Sequence, residues 1–129
     1  RLSLYRRLAD IEDERAIDAF ATELVDRFGK MPEEVSHLLE IMAIKGLCRR
    51  ANVEKIDAGP KGVVLSFRND AFANPGGLVS FIRERGQARV RPDMKVVFSA
   101  DWETPAERLK GTTALLRRLA TIAERAKAA

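Results

Sequence analysis

The one cysteine and the one histidine of the sequence are the first candidates for covalent chemistry. Cys48 and His37 stand eleven residues apart, in a segment whose apolar pattern predicts a helix from about Pro32 to Arg50. A helix rises about 1.5 Å per residue, so the two side chains would lie about 16 Å apart, beyond hydrogen-bond reach. A nucleophilic dyad is therefore excluded, and a single histidine excludes a multi-histidine metal site.

Phosphate-binding loops are the next candidates. The sequence contains neither the G-x-x-x-x-G-K-[ST] nor the G-x-G-x-x-G pattern. Gly76 and Gly77 follow Asn74 and Pro75 at a predicted helix start, where free N–H groups can bind an anion, but the same residues suit a plain helix cap. We therefore expect no catalytic, cofactor-binding or metal-binding residue in this chain, and no enzyme activity.

Charge is unevenly distributed along the chain. Residues 1–60 carry a net charge of −2 and residues 61–129 a net charge of +6, for a total of +4. Residues 9–40 contain ten acidic side chains against three basic ones. A basic partner could meet one end of the molecule and an acidic partner the other, although a solvated helical surface explains the same pattern.

Two of these acids are candidates for partner docking. On a helical wheel of residues 14–28 the apolar stripe centres near Phe20 and Leu24. Asp26 then lies opposite the stripe, and Glu23 lies about 60° from Asp26. The two carboxylates would repel each other by a few tenths of a kcal/mol, and arginines of a partner would turn that repulsion into attraction. Weaker candidates on the same helix are Asp18 and Arg27.

A second candidate surface is basic. Arg89 and Arg91 alternate with apolar residues in a predicted strand, so both point to one face, and Lys95 extends that face across a turn. These three side chains are candidates for phosphate contact. No aromatic residue is interleaved with these bases and no zinc pattern occurs, so a small basic DNA-binding accessory domain stays the alternative reading of the chain.

The 129 residues and 14.4 kDa are those of one domain. Apolar spacing, caps and turn residues predict an α+β fold: three N-terminal helices, then hairpin-helix-hairpin-helix, with a small, mainly antiparallel sheet covered by helices. The predicted helices cover about 4–11, 14–28, 32–50 and 75–85. A last helix starts after a capping box formed by Thr104 and Glu107. The predicted strands cover 53–58, 63–67, 88–91 and 95–99. The third helix is apolar on several sides, which predicts a central, sandwiched position.

The chain begins without methionine and inside a helical pattern, so we expect a piece of a longer protein. One cysteine favours a reducing compartment, and neither a signal peptide nor a membrane-length apolar run is visible. A cytoplasmic location is expected.

Three blocks of sequence resemble the C-terminal domain of the bacterial transcription-repair coupling factor. They are Arg1 to Ala9, then Glu23-Leu24-Val25-Asp26-Arg27-Phe28-Gly29 with Pro32 to Val35, then Lys55 to Gly59 with Lys61-Gly62. The resemblance runs through essentially the whole chain, in order, and the block from Glu23 to Gly29 is its most specific part.

The resemblance implies that residues 1–129 form a single C-terminal regulatory domain of a multidomain, ATP-dependent DNA translocase of helicase superfamily 2. ATP and magnesium would bind the parent's motor, not this fragment. The implied partner is the N-terminal module that resembles the B component of the excision nuclease. Docking there masks the surface that recruits the A component of the same nuclease until stalled RNA polymerase is engaged. Family acids at the positions of Glu23 and Asp26 meet arginines of that module.

Overall fold

The computed structural model describes residues 6–8, 10–11 and 13–128. Of these, residues 126–128 are described by their backbone alone. The bounds of the elements are α1 Glu14–Phe28, α2 Glu33–Ala51, β1 Val53–Gly59, β2 Gly62–Phe67, a 3₁₀ turn Arg68–Asp70, α3 Pro75–Arg85, β3 Ala88–Val90, β4 Val96–Ser99 and α4 Pro105–Ala128. The predicted α+β class and element order are confirmed. Residues 6–8 of the predicted first helix are helical, and Leu4 lies outside the described residues. The prediction is wrong at its end, because Asp10 lies in a turn and Ile11 is not helical.

The chain divides into two compact units, residues 1–47 and residues 48–129. None of the helices in the described part of the chain combines the length and apolar character needed to cross a membrane.

Unit 1 contains α1 and most of α2. Helix α1 begins where the Asp13 carboxylate accepts a hydrogen bond from the N–H of Ala16 at 2.7 Å. It ends at Phe28, and the next residue, Gly29, has a positive φ of 81°, which glycine adopts without strain. The small core of this unit consists of Ile17, Phe20 and Leu39.

Several large apolar side chains of unit 1 stay exposed. Phe28 continues the stripe of α1 but is 63% exposed, and on α2 Leu38 and Ile41 are 40% and 49% exposed. Helix α2 is the predicted third helix, and the expectation that it is central and sandwiched is therefore wrong at Leu38 and Ile41.

Unit 2 is built on a four-stranded antiparallel sheet in the order β1-β2-β4-β3. Val63 lies opposite Phe98 and Leu65 opposite Val96, and all four side chains are buried on one face. Helix α3 packs on this face through Phe81, whose ring centroid lies 5.9 Å from that of Phe98. Helix α4 completes the core with buried side chains at Leu115, Leu116, Leu119, Ala120, Ile122 and Ala123.

The connection from α2 into the sheet depends on Asn52. Its backbone adopts φ 61°, which asparagine tolerates better than most residues. Its side-chain amide donates to the carbonyl oxygens of Arg68 at 3.0 Å and Ala71 at 2.8 Å. One side chain thus joins the end of the helix to the far end of the first hairpin.

Candidate functional site

Helix α1 positions the predicted docking residues. Asp26 is exposed and Glu23, one turn earlier, keeps 38% of its side chain exposed. Asp18 is also exposed, and the guanidinium of Arg27 lies 5.4 Å from the centroid of the Phe28 ring. The helix therefore presents Asp26 to solvent opposite the apolar stripe, as the wheel predicts, whereas Glu23 is half-buried and Arg27 lies beside Phe28.

Glu23 already binds one guanidinium. Arg7 forms an ion pair with the Glu23 carboxylate and lies 5.1 Å from the centroid of the Phe20 ring. The hydrogen bond from Arg7 lowers the pKa of Glu23, and the positive charges of Arg7 and Arg27 add to that effect. The sequence did not predict Arg7 as a partner of Glu23. The i, i+3 and i, i+4 spacing rules apply only within one helix, and these two residues belong to different elements.

An apolar groove of about 370 Å³ opens beside this acidic face. Its lining is Leu8, Phe20, Leu24, Phe28, Gly29, Lys30, Met31, Pro32, Val35 and Leu38. The groove explains why Phe28 and Leu38 remain exposed, since both side chains form its walls. Only the apolar residues around the Gly29–Pro32 connection signal it in the sequence.

The basic candidates lie on the second hairpin. Arg89 is exposed on β3, and the N–H of Arg91 donates to the carbonyl of Lys95 at 2.8 Å, so these two residues face each other across the turn. The Asp93 carboxylate accepts from the Arg91 guanidinium at 2.8 Å and from the N–H of Lys95 at 3.2 Å. The structure therefore brings Arg89, Arg91 and Lys95 together as predicted, and adds Asp93 as a partial counter-charge.

The residues considered for covalent chemistry remain apart. Helix α2 is continuous from Glu33 to Ala51, which confirms the premise that excluded a dyad of His37 and Cys48. The His37 side chain is 60% exposed, 3.9 Å from Glu33, and partial burial raises the pKa of the Cys48 thiol. In the ranges that the structure describes, no group of three or more His, Cys, Asp or Glu side chains could hold a metal ion.

The fold is that of a small α+β domain with an antiparallel sheet, and a solved structure shares it. The crystal structure of the C-terminal domain of a transcription-repair coupling factor superposes with a TM-score of 0.70 at 20% identity, over 96% of this chain and 81% of that chain.

Sequence comparison places the chain in a family. The model of the TRCF domain matches residues 1–78. The transcription-repair-coupling factor of Haemophilus influenzae is 34% identical over 121 residues, which cover 93% of this chain and 11% of that protein. The protein of the same name from Rickettsia bellii is 37% identical over 98 residues, covering 76% and 9%. The chain belongs to the transcription-repair coupling factor family, and it spans about a tenth of the length of these relatives.

Proposed function

We propose that this chain is a non-catalytic, autoinhibitory docking domain of a transcription-repair coupling factor. Its parent is an ATP-dependent DNA translocase of helicase superfamily 2, which acts in the cytoplasm in transcription-coupled nucleotide excision repair. ATP and magnesium serve the parent's motor. In the resting parent, the face of α1 that carries Glu23 and Asp26 docks on the N-terminal module that resembles the B component of the excision nuclease. This contact masks the surface that recruits the A component of that nuclease until stalled RNA polymerase is engaged.

The observation that carries this proposal is the pairing of charge with an open apolar surface on one unit. Protein interfaces combine an apolar centre with a polar rim. Phe28 lines the groove with 63% of its surface exposed, and the same helix presents Asp26 to solvent. Arg7 shows that the Glu23 carboxylate accepts a guanidinium in its present rotamer. A partner that offers arginines and one apolar side chain complements this arrangement.

The test uses the full-length parent with Glu23→Ala and Asp26→Ala together. Losing two charge-assisted contacts releases the docked state, because each such contact is among the stronger polar interactions at an interface. We expect the variant to retain the A component of the excision nuclease in a pull-down without RNA polymerase, and to hydrolyse ATP faster than the wild type. The reverse result, a parent that stays closed with both acids removed, places the docking face elsewhere.

A matched control separates docking from loss of negative charge. Glu34 and Glu40 are exposed acids on α2 of the same unit. Replacing both with alanine changes the net charge by the same amount. This control should bind the A component of the excision nuclease no better than the wild type.

A further inference from the structure

The sheet of unit 2 has a second face that the helices of this unit leave open. Side chains alternate between faces along a strand, and residues paired across antiparallel strands share a face. Val64 and Val97 are paired with each other and alternate with the buried positions, so they lie on the opposite side and are partly exposed. The open sheet face, defined by this pleat, comprises Lys55, Asp57, Val64, Ser66, Arg89, Arg91, Lys95 and Val97.

Positive charge concentrates on the β3–β4 half of the open sheet face. Arg89 is exposed and forms no ion pair with any described residue. Arg91 and Lys95 lie directly opposite each other, an arrangement of like charges that destabilises a sheet, and the Asp93 carboxylate offsets only part of that repulsion. Asp93 neutralises one of these three cations, which leaves an excess of two positive charges within about 7 Å along the strand.

We propose that the open sheet face binds the phosphate backbone of duplex nucleic acid through Arg89, Arg91 and Lys95. Arginine recognises phosphate through two parallel hydrogen bonds, and neighbouring cations on a strand can contact successive phosphates. An acidic protein partner is the less suitable occupant, because stable protein contacts need buried apolar anchors. The only large apolar side chains of the open sheet face are Val64 and Val97, and both are partly covered. Backbone phosphate binding needs charge and polar donors alone.

The test measures binding of the 129-residue chain to a fluorescein-labelled duplex of 20 base pairs by anisotropy, at 50 and 200 mM salt. Each neutralised phosphate contributes about −0.9 to the slope of log affinity against log salt, so the two excess positive charges predict an affinity about 12-fold lower at the higher salt. With Arg89→Gln and Arg91→Gln together, Lys95 is balanced by Asp93, no excess positive charge remains, and the salt effect should disappear.

The matched control removes two positive charges from α4, on the other side of the sheet. Lys110 and Arg125 are exposed there, and replacing both with glutamine should preserve the roughly 12-fold salt effect. An equal reduction in this control means that binding follows net charge, and the proposal is then wrong.

The proposal is also overturned if the wild type shows no binding at 50 mM salt. The third overturning result is displacement of the duplex by poly-glutamate at a carboxylate concentration equal to that of the phosphates, since an acidic protein is then the occupant. None of these outcomes bears on the docking face of unit 1.

Discussion

Gly111 lies against the indole ring of Trp102 at a distance that leaves no space for a side chain. A Cβ atom at position 111 would stand 2.3 Å from the ring carbons Cε2 and Cζ2. The backbone of Trp102 is held on both sides, because its N–H donates to the carbonyl of Pro60 at 2.8 Å and its carbonyl accepts from the Arg108 side chain at 3.0 Å. The absence of a side chain at Gly111 in α4 therefore allows the Trp102 ring of the preceding loop to pack against this helix.

The substitution Gly111→Ala should destabilise unit 2. Helix propensity alone predicts a gain of about 1 kcal/mol, whereas forcing a methyl group into filled space costs about 1–3 kcal/mol. Because the Trp102 backbone is held by these hydrogen bonds, the ring can make room only by leaving its present rotamer, and we expect a net loss of up to about 2 kcal/mol. Trp102 is the single tryptophan, so its fluorescence during urea unfolding reports this unit directly.

Gly76→Ala is the control for that measurement. A Cβ at position 76 on α3 meets nothing within 4 Å, so alanine there should leave the unfolding midpoint unchanged or raise it slightly. Stabilisation of equal size at both positions contradicts the packing role of Gly111.

Core and surface of α1 should respond differently to truncation. Phe20 is 5% exposed, and Phe20→Ala should cost about 3–5 kcal/mol through the cavity it leaves. Replacing Glu23 and Asp26 with alanine should leave the chain folded, with a loss small beside that of Phe20→Ala. No gain from relieving their mutual repulsion is expected, because Arg7 already neutralises Glu23. Circular dichroism at 222 nm during urea unfolding distinguishes the two variants, and equal unfolding means that the acids support the core.

Local signals in the sequence were enough to predict the elements. Asn74 predicts a cap for α3, and its side-chain oxygen accepts from the N–H of Gly77 at 3.0 Å. Thr104 and Glu107 predict a capping box for α4, and the two reciprocal hydrogen bonds are both 3.1 Å long. These interactions join residues three apart, so their geometry follows from the helix itself.

Interactions between distant residues could not be predicted in the same way. The docking of Arg7 on Glu23, the contact of Gly111 with Trp102 and the pairing of β2 with β4 all depend on tertiary packing. Sequence patterns assigned Phe28 to the apolar stripe, but nothing in them showed that its neighbours leave it exposed. The candidate acids were therefore predictable, whereas the groove beside them was not.

The thiol of Cys48 should react slowly with disulfide reagents. Partial burial raises its pKa, while the positive charge of Arg49 opposes that shift, so the reactive thiolate is scarcer than in an unfolded chain. At pH 8 we expect its reaction with Ellman's reagent to be several-fold slower in the folded chain than in guanidinium chloride. A folded chain that reacts as fast as the unfolded one contradicts this environment for the thiol.

The pairing of Arg7 with Glu23 makes a further contribution to stability that depends on pH. Because the pKa of Glu23 is lower in the folded chain than its ordinary value, the folded state binds this proton less tightly than the unfolded state. The stabilisation is therefore fully present above about pH 4.3, the ordinary pKa of glutamate, and is lost as the pH falls through the folded value.

The titration of Glu23 itself provides the direct check. In the wild-type chain the side-chain carboxyl carbon, followed by NMR, should titrate with a midpoint below about 4.3, because the Arg7 guanidinium favours the ionised carboxylate. Arg7→Gln removes the largest cause of that shift, so the midpoint should rise toward the ordinary value. Arg15 is an exposed arginine of the same unit, and Arg15→Gln should leave the midpoint where it is. A midpoint that Arg7→Gln does not move would show that the ion pair is not populated in solution. Glu23 would then be free to meet a partner's arginine without first releasing Arg7.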